Sequence, residues 1–133
     1  MAQNAALLVS SNPGNNFNPL FIYSNPGLGK THLLNAIGNY AKKKNPDLRV
    51  YYVTSKDFVD EIISAMKTNK SDQLYERYKS IDILLIDDIQ FLFGKEKSSE
   101  MFFHIFNEII NNNRQIVITS DKMLKIYKVL KIV

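Results

Sequence analysis

The sequence of 133 residues has no cysteine and no tryptophan, and it has only two histidines. The absence of cysteine excludes a disulfide framework and a thiolate metal site, and two isolated histidines form no recognisable metal-binding or Ser-His-Asp pattern. No apolar run approaches the roughly 18 residues of a membrane span, and the N-terminal residues lack the basic start of a secretory signal. We therefore expect a cytoplasmic protein with no membrane span.

The charge is moderately basic, with a formal net charge of +4, and lysines far outnumber arginines. This balance favours nucleic-acid contact only weakly, since many basic proteins bind none. The length suits one domain, and the hydrophobic content of 45% is ordinary for a globular protein. Candidate contacts to nucleic-acid phosphates are Lys67, Lys70, Lys95 and Lys97, with a solvated surface as the alternative for each.

Glycines number only five, and two of them lie in the segment LFIYSNPGLGKT at residues 20–31. The segment reads as a buried strand, a tight loop and a Lys-Thr pair that opens a helix, which is the order of a triphosphate-binding loop. Gly27 and Gly29 let the backbone approach phosphate oxygens, and the helix start adds unpaired N–H groups. Lys30 is predicted to reach the β- and γ-phosphates, and the Thr31 hydroxyl is predicted to hold Mg²⁺.

The predicted site for ATP or ADP with Mg²⁺ covers the loop and the first helical residues, which are Asn25, Pro26, Gly27, Leu28, Gly29, Lys30, Thr31 and His32. A lysine at a helix N-terminus opposes the helix dipole unless an anion lies there, which favours a phosphate site. The alternative is a glycine-rich turn with an incidental lysine, and Ser24 stands where the general pattern has its first glycine. His32 and His104 both lie in apolar helical contexts. Apart from the place of His32 next to the phosphate loop, both are interpreted as packing residues rather than as metal ligands or catalytic bases.

A second motif, ILLIDD at residues 83–88, reads as a buried strand that ends in two carboxylates. Burying carboxylates is costly unless a cation meets them, so the pair indicates a Walker B motif. Asp87 is predicted to hold Mg²⁺ directly or through water. Asp88 is predicted to polarise the attacking water, which makes Asp88 and Lys30 the candidate catalytic residues. Adjacent strand residues point to opposite sides, and the alternative reading is an Asp pair that forms a turn.

Strands and helices alternate along the chain, which predicts an α/β protein with a parallel sheet. The predicted strands are residues 20–23, 49–53, 83–86 and 115–119. The predicted helices are residues 30–44, a helix that begins after a cap at Thr54, residues 71–79 and residues 101–110. Residues 94–99 are predicted to form a charged loop. Ligands of such sheets bind beyond the carboxyl ends of the strands. The phosphate loop, the Asp pair and Asp121 all follow strand ends, so we expect them to converge, although a helix cap is an alternative role for Asp121.

These motifs closely resemble the ATPase domain of bacterial chromosomal replication initiators of the DnaA family. The matching segments are NPLFIY at residues 18–23, GLGKTHLL at 27–34, AIGN at 36–39, LLIDDIQFL at 84–92, GKE at 94–96, FFH at 102–104 and QIVITSD at 115–121. The resemblance covers about residues 4–122. It is more specific than a phosphate loop alone, because the IQFL that follows the Asp pair is particular to initiators and close relatives.

The resemblance implies a three-layer P-loop NTPase of the AAA+ class. It implies that ATP binding lets subunits assemble on origin DNA and open the duplex, and that slow hydrolysis switches the assembly off. Asp121 would be the sensor 1 residue of the nucleotide site. The extra helical segment at residues 55–79 would face single-stranded DNA, with Ile63 and Lys97 as contact candidates. The replicative helicase is a further candidate partner.

The resemblance ends near residue 122. We expect residues 1–121 to form a partial AAA+ nucleotide-binding domain and residues 122–133 to form an atypical tail, without the family's arginine-finger box, fifth strand and sensor 2 lid. The first strand would then lie at an exposed sheet edge. An arginine finger contributes a factor of about 10³ to 10⁵ in rate, so we expect poor ATP hydrolysis. The alternatives are a helicase-loader-type AAA+ ATPase and a non-functional initiator remnant.

Overall fold

The computed structural model describes residues 18–23, 29–92 and 94–121. Within these ranges the elements are β1 (Leu20–Tyr23), α1 (Lys30–Lys44), β2 (Val50–Thr54), α2 (Ser55–Lys67), α3 (Ser71–Lys79), β3 (Ile83–Asp87), a 3-10 turn (Ile89–Leu92), α4 (Glu96–Asn111) and β4 (Gln115–Ser120). The bounds of β1, α1 and α3 are those that the sequence predicts. None of the described helices is long and apolar enough to cross a membrane.

The four described strands form one parallel sheet in the order β1-β4-β3-β2. The register pairs Thr54 with Asp87 and Tyr23 with Ser120, so the carboxyl ends of the strands lie at the same end of the sheet. Every residue of β3 and of β4 is buried. Strands that are covered on both faces need apolar side chains at successive positions, which explains why these segments do not alternate with polar residues.

Helices cover both faces of the sheet and give the protein three layers. On one face, α1 packs through a cluster that includes Leu34, Ile37, Leu85 and Val117. On the other face, α2, α3 and α4 form the larger cluster, which includes Phe58, Tyr78, Phe102, Ile105, Leu84 and Ile118. The predicted aromatic core is confirmed for Phe102 and Phe106, whereas Phe103 is only partly buried.

The start of α4 differs from the sequence prediction of a charged loop over residues 94–99. The helix begins at Glu96, five residues before the predicted Met101. Ser98 is buried, and the Ser99 hydroxyl donates a hydrogen bond to the Leu92 carbonyl oxygen at 3.1 Å. The charged side chains that indicated a loop therefore lie on the exposed side of the first helical turn, where they do not interrupt the helix.

The helix α2 begins after β2 with a side-chain cap. The Thr54 hydroxyl oxygen accepts a hydrogen bond from the Asp57 backbone N–H at 3.0 Å, which satisfies one of the free donors at the helix start. Phe58 is buried against the sheet, but Ile63 and Met66 are 44% and 41% exposed. The helix therefore carries an outward apolar face that takes no part in the core.

Gly38 is the point where α1 lies closest to the sheet. A Cβ atom at this position would lie 3.0 Å from Leu85 Cδ1 and 3.2 Å from Val50 Cγ1, so a larger side chain would have to push these two side chains out of their packed positions. We expect Gly38→Val to lower the free energy of unfolding by about 1–3 kcal/mol, although valine is the better helix former. Urea unfolding measures the change, with Asn39→Val at the exposed neighbouring position as the control. Equal stability of the two variants would contradict the close approach.

Candidate functional site

The site begins at the N-terminus of α1. Gly29 precedes the helix with a φ of 85°, a left-handed conformation that favours glycine. The first turn contains no acidic residue, so no carboxylate of its own offsets the positive end of the helix dipole. Lys30 is only 8% exposed, whereas Thr31 is exposed. Lys30 adds a cation to the positive end of the helix dipole, and this combination suits an anionic ligand.

The Asp87 carboxylate lies at the centre of the site and is 2% exposed. Its Oδ2 atom accepts hydrogen bonds from the Thr31 hydroxyl at 2.5 Å and from the Tyr52 hydroxyl at 2.9 Å. Its Oδ1 atom accepts a hydrogen bond from the Thr119 hydroxyl. These donors offset part of the cost of burying a charge, and they come from α1, β2 and β4. The Lys-Thr pair and the predicted Walker B strand are therefore in direct contact.

Tyr52 occupies an apolar strand but directs its hydroxyl to the site. Burial raises its pKa from 10.0 to about 12, and the hydrogen bond to Asp87 contributes to the rise because it favours the neutral phenol. Tyr52 therefore remains a hydrogen-bond donor at any physiological pH.

Asp88 follows the end of β3 with a φ of 58°, a left-handed conformation that is uncommon outside glycine but is tolerated by Asp. Its backbone N–H donates to the Thr119 hydroxyl oxygen at 2.9 Å, and its carbonyl oxygen accepts from the Ser55 hydroxyl. The alternation of strand side chains was expected to send the two carboxylates to opposite sides. The direction of Asp88 is set instead by this left-handed turn, because β3 ends at Asp87.

Asp121 lies directly after β4 and is linked to Asp88 through one side chain. Gln90 donates its amide N–H to Asp88 Oδ1 at 3.4 Å, and its amide oxygen accepts from the Asp121 backbone N–H at 3.4 Å. The Oδ1 atom of Asp121 is buried and has no hydrogen-bond partner within the described part of the chain. A buried carboxylate oxygen without a donor is unfavourable, so a donor from a ligand, from water or from the rest of the chain would stabilise it.

A second feature lies between α2 and the start of α4. A surface hollow of about 370 Å³ is lined by Val59, Ile63, Met66, Lys67, Lys95, Glu96, Lys97 and Ser98. It brings together Ile63 and Lys97, the two residues that the resemblance indicates as DNA contacts. The four candidate lysines are all exposed, namely Lys67, Lys70, Lys95 and Lys97. Their exposure is compatible both with a solvated surface and with contact to a phosphate backbone.

Helix α2 is fixed to the sheet and to α3 through Glu61. Its carboxylate accepts hydrogen bonds from the Tyr51 hydroxyl at 3.0 Å and from the Tyr78 hydroxyl at 2.9 Å, and it pairs with the Arg77 guanidinium. Burial raises the pKa of Tyr78 far above its ordinary value, and the Glu61 charge adds to this. These contacts fix the orientation of the helix that carries Ile63.

The donor set around Asp87 fits a Mg²⁺ ion that is held mainly by a nucleotide. The Asp87 carboxylate and the Thr31 hydroxyl are hard oxygen ligands in direct contact with each other. Within residues 18–23, 29–92 and 94–121, no group of three or more His, Cys, Asp or Glu side chains could hold a metal. Mg²⁺ is usually bound by one or two carboxylates together with substrate phosphates, so the absence of a larger cage among these residues is compatible with this ion.

Comparison with known proteins adds a family to this geometry. Residues 1–131 match the sequence family described as the bacterial DnaA ATPase domain. The chain belongs to this family. The chromosomal replication initiator protein DnaA of Deinococcus deserti is 48% identical over 122 residues, which cover 92% of this chain and 27% of that protein. The chain spans about a quarter of the length of the curated DnaA relatives it matches.

Solved structures of DnaA have the same fold. Domain III of the replication initiation protein DnaA from Thermotoga maritima gives a TM-score of 0.87 at 52% identity, over 91% of this chain and 50% of that chain. A replication initiator DnaA bound to AMPPCP and single-stranded DNA gives 0.87 at 42% identity, over 91% of this chain and 37% of that chain. The DnaC helicase loader is more distant, at 0.72 and 25% identity over 97% of this chain and 75% of that chain. The predicted α/β AAA+ fold is therefore confirmed.

The structure places only part of the predicted nucleotide site of this DnaA domain. Gly29, Lys30, Thr31 and His32 are described, and the Thr31 hydroxyl contacts Asp87. The remaining predicted residues of the loop, Asn25, Pro26, Gly27 and Leu28, lie outside the described residues, as does the tail at residues 122–133.

The packing interpretation of the two histidines is wrong, because His32 and His104 are both exposed. The buried positions of α1 include residues 34, 37 and 41, and those of α4 include residues 102, 105 and 109. At 3.6 residues per turn, His32 and His104 each lie about opposite the core-facing side of their helix.

Among the polar contacts of the DnaA site that were not predicted from the sequence are those of Tyr52, Ser55 and Gln90. Tyr52 and Ser55 read as an ordinary strand residue and an ordinary helix-start residue. Gln90 stands in the IQFL segment typical of initiators, so that segment was the one available signal.

The Thr119 hydroxyl bonds the carboxylate of Asp87 and the backbone N–H of Asp88, so it is expected to matter for stability. Thr119→Val keeps the shape of this fully buried side chain but leaves Asp87 Oδ1 and the Asp88 N–H without their partner. We expect the free energy of unfolding to fall by about 1–3 kcal/mol, the cost of leaving buried polar groups unpaired. Denaturant unfolding measures the fall, with Thr68→Val as the control because the Thr68 hydroxyl forms an exposed hydrogen bond. A loss no larger than that of the control would show that these bonds contribute little.

Proposed function

We propose that this chain is the ATP-binding module of a bacterial chromosomal replication initiator. The single observation that carries the proposal is the hydrogen bond from the Thr31 hydroxyl to the Asp87 carboxylate. It joins the start of the phosphate-loop helix to the strand end that carries two carboxylates, which is the pairing that a Mg²⁺-nucleotide needs. Membership of the DnaA family supports the same function.

The proposed roles follow from these positions. Lys30 contacts the β- and γ-phosphates, and Gly29 and His32 complete the described part of the nucleotide site. The sequence motif assigns phosphate binding to residues 25–28 as well. Thr31 and Asp87 hold Mg²⁺, which when bound neutralises charge on the phosphates. Asp88 orients the attacking water, and Asp121 places near the γ-phosphate its Oδ1 atom, which has no hydrogen-bond partner among the described residues.

The wider function concerns DNA. We propose that ATP binding allows the initiator to assemble on origin DNA and promote duplex opening, and that hydrolysis reverses the assembly. A similar DnaA was solved with both AMPPCP and single-stranded DNA, which supports a domain that binds the two together. Further proposed features are self-assembly into an oligomer, contact with the replicative helicase and a cytoplasmic location. The helicase-loader alternative is supported less, because the DnaC loader is more distant in sequence and fold.

Nucleotide binding is tested first by the thermal unfolding of the chain with and without Mg²⁺-ATP. A ligand that binds only the folded state adds about 2.7 kcal/mol at 100 times its Kd, so we expect a clear rise in Tm. Lys30→Ala is expected to abolish the rise, because it removes the cation that meets the β- and γ-phosphates. Lys42→Ala, at the exposed C-terminal end of the same helix, is the control and should retain it.

Two outcomes would contradict the nucleotide proposal. An equal rise in Tm in Lys30→Ala and the unchanged chain would exclude the assigned phosphate site. The absence of a cooperative transition in every sample would instead favour the non-functional remnant.

The hollow between α2 and α4 is the proposed contact for single-stranded DNA. It combines an exposed apolar side chain, Ile63, with the ammonium groups of Lys67, Lys95 and Lys97. The bases of a single strand can pack against Ile63, and its phosphates can pair with the lysines. Glu96 is the acidic residue in its lining, and it leaves the hollow with an excess of positive charge.

Two substitutions separate these contributions in a binding titration with a fluorescent single-stranded oligonucleotide and Mg²⁺-ATP. Lys97→Gln is expected to weaken binding and to reduce the slope of log K against log salt by about 0.7, the release of one counterion. Ile63→Ser is expected to weaken binding by about 1 kcal/mol without changing that slope, because only apolar contact is lost. Lys43→Gln on the exposed end of α1 is the control. Unchanged binding in both test variants would place the DNA elsewhere.

A further inference from the structure

Two hydroxyl groups donate to the same oxygen of Asp87. The Thr31 and Tyr52 hydroxyls both donate to Oδ2, and the Thr119 hydroxyl donates to Oδ1. In the proposed site the Thr31 oxygen is itself a ligand of Mg²⁺, so Thr31 cannot be counted as a separate support for the carboxylate. Tyr52 and Thr119 then remain as the donors that hold the carboxylate, one at each oxygen.

Tyr52 reaches Asp87 from the neighbouring strand. The register pairs Tyr52 with Leu85, two residues before Asp87 on β3, so both side chains lie on the same face of the sheet. The Tyr52 ring packs against the core cluster of α1, and only its hydroxyl extends to the carboxylate. The ring therefore serves the fold, and the hydroxyl is positioned for Asp87.

We propose that Tyr52 is a positioning residue, whose hydroxyl fixes the orientation of the Asp87 carboxylate for Mg²⁺. Residues that hydrogen-bond to a metal ligand orient it and tune its affinity, although they do not touch the metal. Without the hydroxyl, Oδ2 keeps only the Thr31 donor, and the carboxylate gains rotational freedom that metal binding must remove. This inference rests on the proposed nucleotide site.

The test is Tyr52→Phe, which removes the hydroxyl and keeps the ring in the core. The Mg²⁺ concentration that gives half of the thermal stabilisation by AMPPCP is measured in the 133-residue chain, and the stabilisation by AMPPCP is measured again in EDTA. We expect Tyr52→Phe to require about 10-fold more Mg²⁺ and to behave like the unchanged chain in EDTA.

The chain offers a matched control in the adjacent tyrosine. Tyr51 lies next to Tyr52 on β2, and its hydroxyl also donates to a carboxylate, that of Glu61 at 3.0 Å. Tyr51→Phe therefore removes the same kind of bond on the other face of the strand. Its Mg²⁺ requirement is expected to match that of the unchanged chain.

The outcomes separate this inference from the nucleotide proposal. If the Mg²⁺ curves of Tyr52→Phe and the unchanged chain coincide while Lys30→Ala loses nucleotide stabilisation, the role of Tyr52 is wrong and the nucleotide site stands. Equal losses with Mg²⁺ and in EDTA would also overturn it, because the hydroxyl would then serve the nucleotide or the fold. If AMPPCP does not stabilise the unchanged chain, both proposals are wrong.

Discussion

The buried carboxylate of Asp87 is the constraint on which the candidate site depends. A carboxylate that is 2% exposed is costly unless donors replace its water, and here they come from three elements. Thr31 belongs to α1, Tyr52 to β2 and Thr119 to β4. Because β2 and β4 flank β3 in the sheet, the strand order itself places two of the donors beside the carboxylate. The third donor fixes the start of α1 over the same end of the sheet.

The segment that runs from β2 into α2 contacts both aspartates of the site. Tyr52 donates to the side chain of Asp87, and Ser55 donates to the carbonyl oxygen of Asp88. Ser55 is the first residue of the helix whose outer face carries Ile63. The proposed nucleotide site and the proposed DNA surface therefore share the helix α2. Its N-terminus contacts the nucleotide site, and its outer face further along forms part of the DNA surface.

The strands and most helices could be predicted from the sequence, because their signals are local. The continuous apolar runs of β3 and β4 indicate strands covered on both faces, and the structure has them in one parallel sheet. The start of α4 could not be predicted, because the charged residues after Gly94 suggest a loop. In the structure the first turn of this helix is held by tertiary contacts, since Ser98 is buried and the Ser99 hydroxyl bonds the Leu92 carbonyl oxygen. The histidines were misread for a related reason, since the side of a helix that faces the core depends on where the helix packs.

The sequence by itself determined which residues could form the site. The order of glycine loop, Lys30 and Thr31, together with two carboxylates after an apolar strand, indicates phosphate and Mg²⁺ chemistry whatever the surrounding fold. The tertiary structure alone decided which neighbours support those residues. Tyr52 is 35 residues from Asp87 in the chain, and its role follows only from the pairing of β2 with β3. Motifs are local because a loop or a strand end is formed by adjacent residues, whereas a buried charge takes its donors from whichever strands the sheet places beside it.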